Sequence, residues 1–345
     1  MNADAPLQRL RRRSDMLARL RAFFAERGFL EVETPLLDHE IIPERHIEPF
    51  EVAGEEAVGQ PPGAAPALQP PALPGGLPAA TLWLQASPEL HMKRLLAQGL
   101  TAIYQTTRSF RRGEHGPLHR PEFTIVEWYR VGDDMAAGIE LLDQLCQAVA
   151  DAPPATRTTY AEAFARHVQV DPHRASCAEL AAAAARLGIA VPDDLPRDDR
   201  DEWLNLLLAL HVEPNLGIHG PEIIHDYPAS QAALATTAVR PGGVEVAERF
   251  ELYWRGVELA NGYHELADAA VLRQRLEKTN AARAADGRIA LPMPERLLAA
   301  MEYPGLPPCA GCALGFDRLS MLGCGAPSIA DVLLPAPPAV DRGSM

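Results

Sequence analysis

An α+β fold with antiparallel strand pairing is what this 345-residue sequence predicts. Three observations carry that expectation. Residues 102–110 (AIYQTTRSF) and 122–129 (EFTIVEWY) are apolar, aromatic and β-branched runs, and the polar, Gly- and Pro-containing segment between them reads as a long hairpin loop. Strand patterns return as EIIHDYP (222–228) and as two runs joined at Arg255-Gly256 within 248–266. Between these groups, 134–150, 160–167, 176–187 and 200–210 have helical periodicity, supported over 181–185 by five consecutive alanines.

Taken in order, Ser14 is expected to cap a helix over 15–27. Met16, Leu17, Leu20, Phe23 and Phe24 share one face of it, and Gly28 ends it. FLEVETPLL then alternates like a strand that stops at Pro35. In 53–80, 12 of 28 residues are Pro or Gly, so this stretch is expected to be a surface loop. A buried strand over 82–85 and a short helix over 88–97 lead into the hairpin. The helices of 134–215 are expected to form an insertion within one domain spanning 1–345, with no chemistry of their own.

With 47% hydrophobic residues the chain can bury a large core. It has no run of about 18 uncharged apolar residues and no apolar core behind the basic N-terminus, which predicts a soluble cytoplasmic protein without a membrane partner. Five scattered cysteines argue against a disulfide framework, and the pair Cys309 and Cys312 lacks the further ligands a zinc site needs. A formal net charge of -14 argues against non-specific nucleic-acid binding.

Against that acidity, Arg108, Arg111, Arg112, His115, His119 and Arg120 crowd the hairpin. Guanidinium forks suit phosphate oxygens, so the loop is expected to take a polyphosphate; a solvated arginine loop at a sheet edge is the alternative. Glu258 and Glu265 lie seven apart, which on an ideal strand puts them on opposite faces. With a bend near Gly262 they would converge and hold Mg²⁺ beside the phosphates; without one they are solvent-facing glutamates. In GCALGFDRLSMLG, Gly311 and Gly315 permit close backbone approach, and Arg318 falls in the first turn of a helical pattern, where an anion is favoured.

These segments together resemble the class II aminoacyl-tRNA synthetases, in their lysyl branch. Helix then G-F-L-E-V-E-T-P is similar to motif 1, whose elements form the dimer interface in that family. R-S-F-R, a loop, and H-R-P-E-F-T-I-V-E-W-Y are similar to motif 2, and G-C-A-L-G-F-D-R-L to motif 3. The run E-L-A-N-G-Y-H-E-L, beginning at Glu258, is similar to the family's segment between motifs 2 and 3.

The resemblance covers roughly residues 10 to 335. It implies the class II catalytic fold, an antiparallel sheet flanked by helices. It also implies a homodimer, ATP and Mg²⁺ as cofactors, and an acyl-adenylate as the first product. By position, Arg111 and Arg318 would be catalytic on the phosphates. Ser87, Pro88, Glu89, Tyr129 and Glu265 would bind the amino acid. Arg111, Arg112, Gly113, Arg120, Glu258, Leu259, Gly315 and Arg318 would bind ATP, and Glu258 with Glu265 would meet the metal.

Motif 1 begins too early for a preceding anticodon-binding barrel. The resemblance is therefore to the stand-alone members, which attach (R)-β-lysine to a lysine of elongation factor P rather than to tRNA. Pro228 to Ala232 (PASQA), Ser87 in place of the synthetases' Ala, and Ala313 in place of the middle motif 3 glycine agree with that branch. Ala313 would set specificity, since a methylene-scale change in a pocket is worth roughly 1 to 3 kcal/mol. The chain departs from the pattern at Arg112-Gly113 and at Arg120, where the family usually has Asn. Two other readings are a truncated synthetase-like enzyme acting on tRNA or another amino acid, and an inactive nucleotide-binding paralogue.

Overall fold

The computed structural model describes residues 5–53 and 81–333, so the expected loop of 53–80 lies, apart from Ala53, outside the described residues. In chain order the strands are β1 (Leu30–Glu31), β2 (Leu37–Asp38), β3 (Glu51–Ala53), β4 (Thr81–Leu84), β5 (Ala102–Phe110), β6 (Glu122–Val131), β7 (Thr156–Thr159), β8 (Glu222–Pro228), β9 (Thr237–Arg240), β10 (Val244–Trp254), β11 (Val257–His264) and β12 (Cys309–Gly315). The helices are α1 (Ala5–Glu26), α2 (Glu89–Ala97), α3 (Met135–Ala150), α4 (Tyr160–His167), α5 (Cys177–Arg186), α6 (Arg200–Leu207), α7 (Ala269–Ala285), α8 (Glu295–Ala300) and α9 (Phe316–Gly323). Nine strands form one sheet in the order β1-β5-β6-β12-β11-β10-β8-β7, with β9 also on β10; β2-β4-β3 form a second, small sheet. Pairing is antiparallel except at the two ends of the order, where β1 joins β5 and β7 joins β8 in parallel.

The hairpin β5–β6 pairs from Ala102 with Arg130 to Phe110 with Glu122, matching the expected loop of 111–121. β10 and β11 turn at Arg255 and Gly256, both at positive φ (54° and 71°), the signature of a tight turn that follows the sheet twist. One face of the sheet carries α3 and α1, packed through Phe24, Tyr104, Trp128, Leu142 and Phe250. On it Phe24 stacks on Tyr104 at 4.3 Å between centroids. The helices α4, α5 and α6 share a core with β8 and β10, so the insertion is joined to the sheet rather than set apart from it. α4 and α5 each begin with a capping box, Thr159 with Glu162 and Ser176 with Glu179.

Several expectations are corrected. α1 begins at Ala5, so Ser14 is inside the helix rather than its cap. FLEVETPLL supplies only the two-residue strands β1 and β2, because it is divided between two sheets: β1 pairs with β5 at Ile103 and Tyr104, and β2 pairs with β4. The strand β7 runs within the segment read as helical, α6 gives way at Leu207 to a π turn over Leu208–Val212, and β9, α7, α8 and the central strand β12 were not anticipated.

Candidate active site

The other face of the sheet is built by register. Residues paired across antiparallel strands point the same way, so one row runs Gln105, Glu127, Ala313, Asn261, Glu251, and the next runs Ile103, Tyr129, Gly311, Tyr263, Arg249. The polar side chains therefore share the face away from α3. Glu258 joins this face through a β-bulge: Leu252 pairs with Ala260 but Tyr253 with Glu258, which leaves Leu259 as the extra residue. The irregularity thus falls at Leu259, not near Gly262 as the spacing suggested. Gly262 instead makes room for the Phe250 ring, which a Cβ there would meet at 2.3 Å.

Over these rows lies a cavity of about 790 Å³. Ser87, Glu89, Arg111, Arg120, Glu258, Leu259, Ala313, Gly315 and Arg318 all line it; Pro88, Arg112, Gly113, Tyr129 and Glu265 do not. Pro88 precedes α2 as its cap residue. Arg112 is turned outward, its guanidinium on the Glu48 carboxylate at 3.0 Å, and Gly113 occupies a left-handed turn position (φ 83°).

At the cationic end, Arg318 is held by three donations: Nε to the Leu118 carbonyl (3.1 Å), Nη1 to the Glu258 carbonyl (2.8 Å), and Nη2 to His119 Nε2 (2.7 Å). Burial, then the Arg318 charge, lowers the His119 pKa, which leaves its ring free to accept. The start of α9 is fixed from behind, where Asp317 accepts from the Thr124 amide (2.9 Å) and pairs with Arg13 at 2.6 Å. Arg13, whose Nη2 also reaches Thr124 Oγ1 at 2.9 Å, is thus a structural cation behind the site. Arg111 lies over the Phe123 ring at 5.1 Å, and its Nε is buried without a hydrogen-bond partner. That orphaned donor is what an anion would satisfy. A Cβ on Gly315 would make only ordinary contacts, 3.7 Å from Arg318 Cδ, so no protein group requires the glycine.

The acidic end rests on buried networks behind the cavity wall. Lys93, fully buried, bridges Glu89 (2.5 Å) and Glu265 (2.7 Å). Beside it Glu127 accepts from Ser87 Oγ (2.8 Å) and Tyr129 OH (2.6 Å). The Tyr129 ring lies flat on Gly311, where a Cβ would approach to 2.2 Å. Burial raises the Glu127 carboxyl to about 8 and Glu265 to about 7, the latter against the pull of Lys93. Glu265 therefore serves Lys93, and Glu258 faces Arg318 at 3.7 Å with Glu251 as its carboxylate neighbour. The structure does not bring Glu258 and Glu265 together as a ligand pair. Among the described residues no group of three or more His, Cys, Asp or Glu side chains could hold a metal ion unaided.

Several residues of this site carry no motif-assigned role in the sequence. Glu127 and Glu251 stand two before Tyr129 and Tyr253 on their strands, so period-2 counting would have placed them on the same face. The cavity is also lined by Glu202, Asn205, Leu208, Ala209 and Glu213 of the helical segment, where no chemistry was expected. Glu213 is raised to about 7, first by burial and then by Glu251. Lys93 sits four residues after Glu89, a recognisable helical ion pair.

Raised carboxyls take up protons on folding, so their contribution to stability is present below the unfolded pKa and is lost as pH rises through the folded value. Of the carboxyls raised by burial, Glu127 lies highest, so its titration is the last to run as pH rises. The thermal midpoint of the ligand-free protein should fall between about pH 7 and about pH 8.5, and Glu127→Gln should flatten that fall; an equal slope in the variant would contradict the assignment.

Among the described residues no helix is long and apolar enough to cross a membrane. A family model described as tRNA synthetases class II (D, K and N) matches residues 2–336. The chain is 44% identical over 330 residues to proteins named elongation factor P–(R)-β-lysine ligase from Klebsiella pneumoniae subsp. pneumoniae, Salmonella dublin and Salmonella paratyphi B. Each alignment covers 96% of this chain and 95% of the relative.

Proposed function

Because the chain belongs to the class II tRNA synthetase family, we propose that it activates (R)-β-lysine with ATP and transfers it to a lysine side chain of elongation factor P, as the names of its relatives describe. The observation that carries this reading is one cavity with a cationic end at Arg111 and Arg318 and an acidic end at Glu89, backed by the Lys93 and Glu127 networks. A nucleoside triphosphate fits the first end and an amine-bearing acid the second.

In the first step a carboxylate oxygen of the amino acid forms a bond to the α-phosphorus while the bond to the pyrophosphate oxygen breaks. Arg111, with its unpartnered Nε, faces the α-phosphate, and Arg318 faces the leaving pyrophosphate; both stabilise charge on the transferring group. Gly315, with no side chain on the cavity wall, lets the nucleotide approach the backbone, and Arg120 supplies a further cation. Mg²⁺, whose hard, partly hydrated sphere suits one or two carboxylates plus phosphate oxygens, would sit on Glu258 with Glu251 beside it and offset phosphate charge. Glu265 holds Lys93 rather than the metal.

In the second step the neutral amine of the acceptor lysine bonds to the carbonyl carbon, AMP leaves and the amine loses a proton. Ser87 and Glu89 form the amino-acid end, with Tyr129 positioned behind them and Ala313 on the floor between Glu127 and Asn261. The acceptor is a protein rather than tRNA, in keeping with the net charge of -14. All five cysteines are free, which suits a reducing cytoplasm. The protein acts as a homodimer through the segment after α1, where Leu30, Leu36 and Leu37 stand exposed on the single chain; light scattering should give twice the 37.4 kDa chain mass. The activity is tested by ATP–pyrophosphate exchange: exchange dependent on (R)-β-lysine supports it, and exchange with neither lysine isomer overturns it.

A further inference from the structure

Glu44 lines the cavity from the stretch between β2 and β3. Among the described residues, every other carboxylate on the cavity wall meets a cation or hydroxyl of the chain. Asp38 and Glu40 meet Arg296, Glu202 meets Arg45, Glu213 meets Tyr253, and Asp317 meets Arg13. Glu89, Glu114, Glu251 and Glu258 face Lys93, Arg111, Arg249 and Arg318 in the same way. The Glu44 carboxylate, half-buried, makes no ion pair and no hydrogen bond within the described residues.

Its backbone, in contrast, is fixed. Arg283 on α7 is fully buried and donates through Nη1 to the carbonyls of Glu44 (2.7 Å) and Ile47 (2.9 Å), and through Nη2 to Glu48 (3.0 Å). The Arg112 amide donates to the Glu48 carbonyl at 2.7 Å, which ties the same stretch to the phosphate-binding loop. A rigid loop that presents an unpartnered carboxylate to a cavity is a receptor for a cation.

The position of Glu44 on the cavity wall says where along the substrate that cation belongs. Burial first, then the Glu89 charge, lifts the Glu44 carboxyl to about 7, while Arg111 and Arg249 pull it down. Glu44 shares the cavity wall with Glu89 of the amino-acid end and Arg111 of the phosphate end, and the backbone bond from Arg112 to Glu48 holds its stretch beside the latter. The reacting carboxylate must sit at that junction, since one of its oxygens bonds to the phosphorus that Arg111 faces. An amine one or two carbons from the carboxylate lies at the junction too, whereas the far amine of a lysine lies several bonds deeper.

We infer that Glu44 is a specificity-determining residue, whose carboxylate receives the ammonium group nearest the reacting carboxylate and selects how many carbons separate the two. The inference rests on the proposed amino-acid activation and adds the residue that reads the amine position. When the ammonium enters, Glu44 ionises beside it and the acidic end gains a charge-assisted hydrogen bond.

The test is ATP–pyrophosphate exchange with (R)-β-lysine, α-lysine and 6-aminohexanoate, which lacks the near amine, the last taken as substrate or as competitive inhibitor. Glu44→Gln keeps the shape and removes the charge. It should raise KM for (R)-β-lysine by about 10- to 100-fold, the loss of one hydrogen bond to a charged group, while changing the constant for 6-aminohexanoate by less than about 2-fold. Glu44→Asp, with a shorter reach, should shift the preference between the two lysine isomers. Equal losses on (R)-β-lysine and 6-aminohexanoate would show a merely structural role and overturn the inference, as would no change on either. If the wild-type protein activates none of the three compounds, the amino-acid reading itself falls and the Glu44 inference with it.

Discussion

Arg318→Ala should lower amino-acid-dependent ATP–pyrophosphate exchange by about 10³-fold, the scale on which removing one preorganised charge donor acts. Two losses combine. The guanidinium proposed to face the leaving pyrophosphate is gone, and the tie between α9 and the β5–β6 loop, made through Leu118 and His119, is cut. Arg318→Lys should recover little, because an ammonium cannot reproduce three donations from one planar fork. The fold should survive, since Asp317 keeps its own contacts with Arg13 and Thr124. Steady-state exchange kinetics beside a thermal melt separate the two effects, and a loss below about 10-fold in a folded variant would remove Arg318 from the transition state.

The second large effect is on stability. Lys93→Met leaves Glu89 and Glu265 without the cation that bridges them. Breaking a buried pair from one side costs about 3 to 5 kcal/mol, because the remaining charge is uncompensated. That is a large share of a typical folding free energy. Neutralising Glu265 in the same background, with Glu265→Gln, should restore part of the loss. Urea unfolding measures both variants. A Lys93→Met midpoint equal to wild type would mean that the bridge contributes nothing, and no recovery in the double variant would place the defect elsewhere.

The hairpin at the centre of the site was legible because its two strands carry β-branched and aromatic runs, and its loop carries turn residues; β5 ends at Phe110, as read. The strand β12 was not, although it lies between β6 and β11. Its residues Cys309 to Gly315 are small and have little strand preference, so pairing on both sides imposes the conformation. Helix α7 escaped because the positions it buries are few, namely Ala269, Leu272, Leu276 and Arg283. The arginines Arg111 and Arg318 were found through their motifs, and the structure sets both on the cavity wall. Glu258 was found too, but its partner was not: a bulge at Leu259 decides which carboxylate it meets, and a bulge leaves no mark in a count of residues. Glu44 had no local signal at all, since its placement depends on Arg283, 239 residues further along.

The intact mass of elongation factor P after incubation with this protein, ATP and Mg²⁺, with (R)-β-lysine or α-lysine in separate reactions, tests the transfer most directly. A mass increase of one lysyl unit, faster with the β isomer and absent with Arg318→Ala, is the expected result. An unchanged mass with both isomers, in a preparation that shows pyrophosphate exchange, would contradict the assignment of elongation factor P as the acceptor.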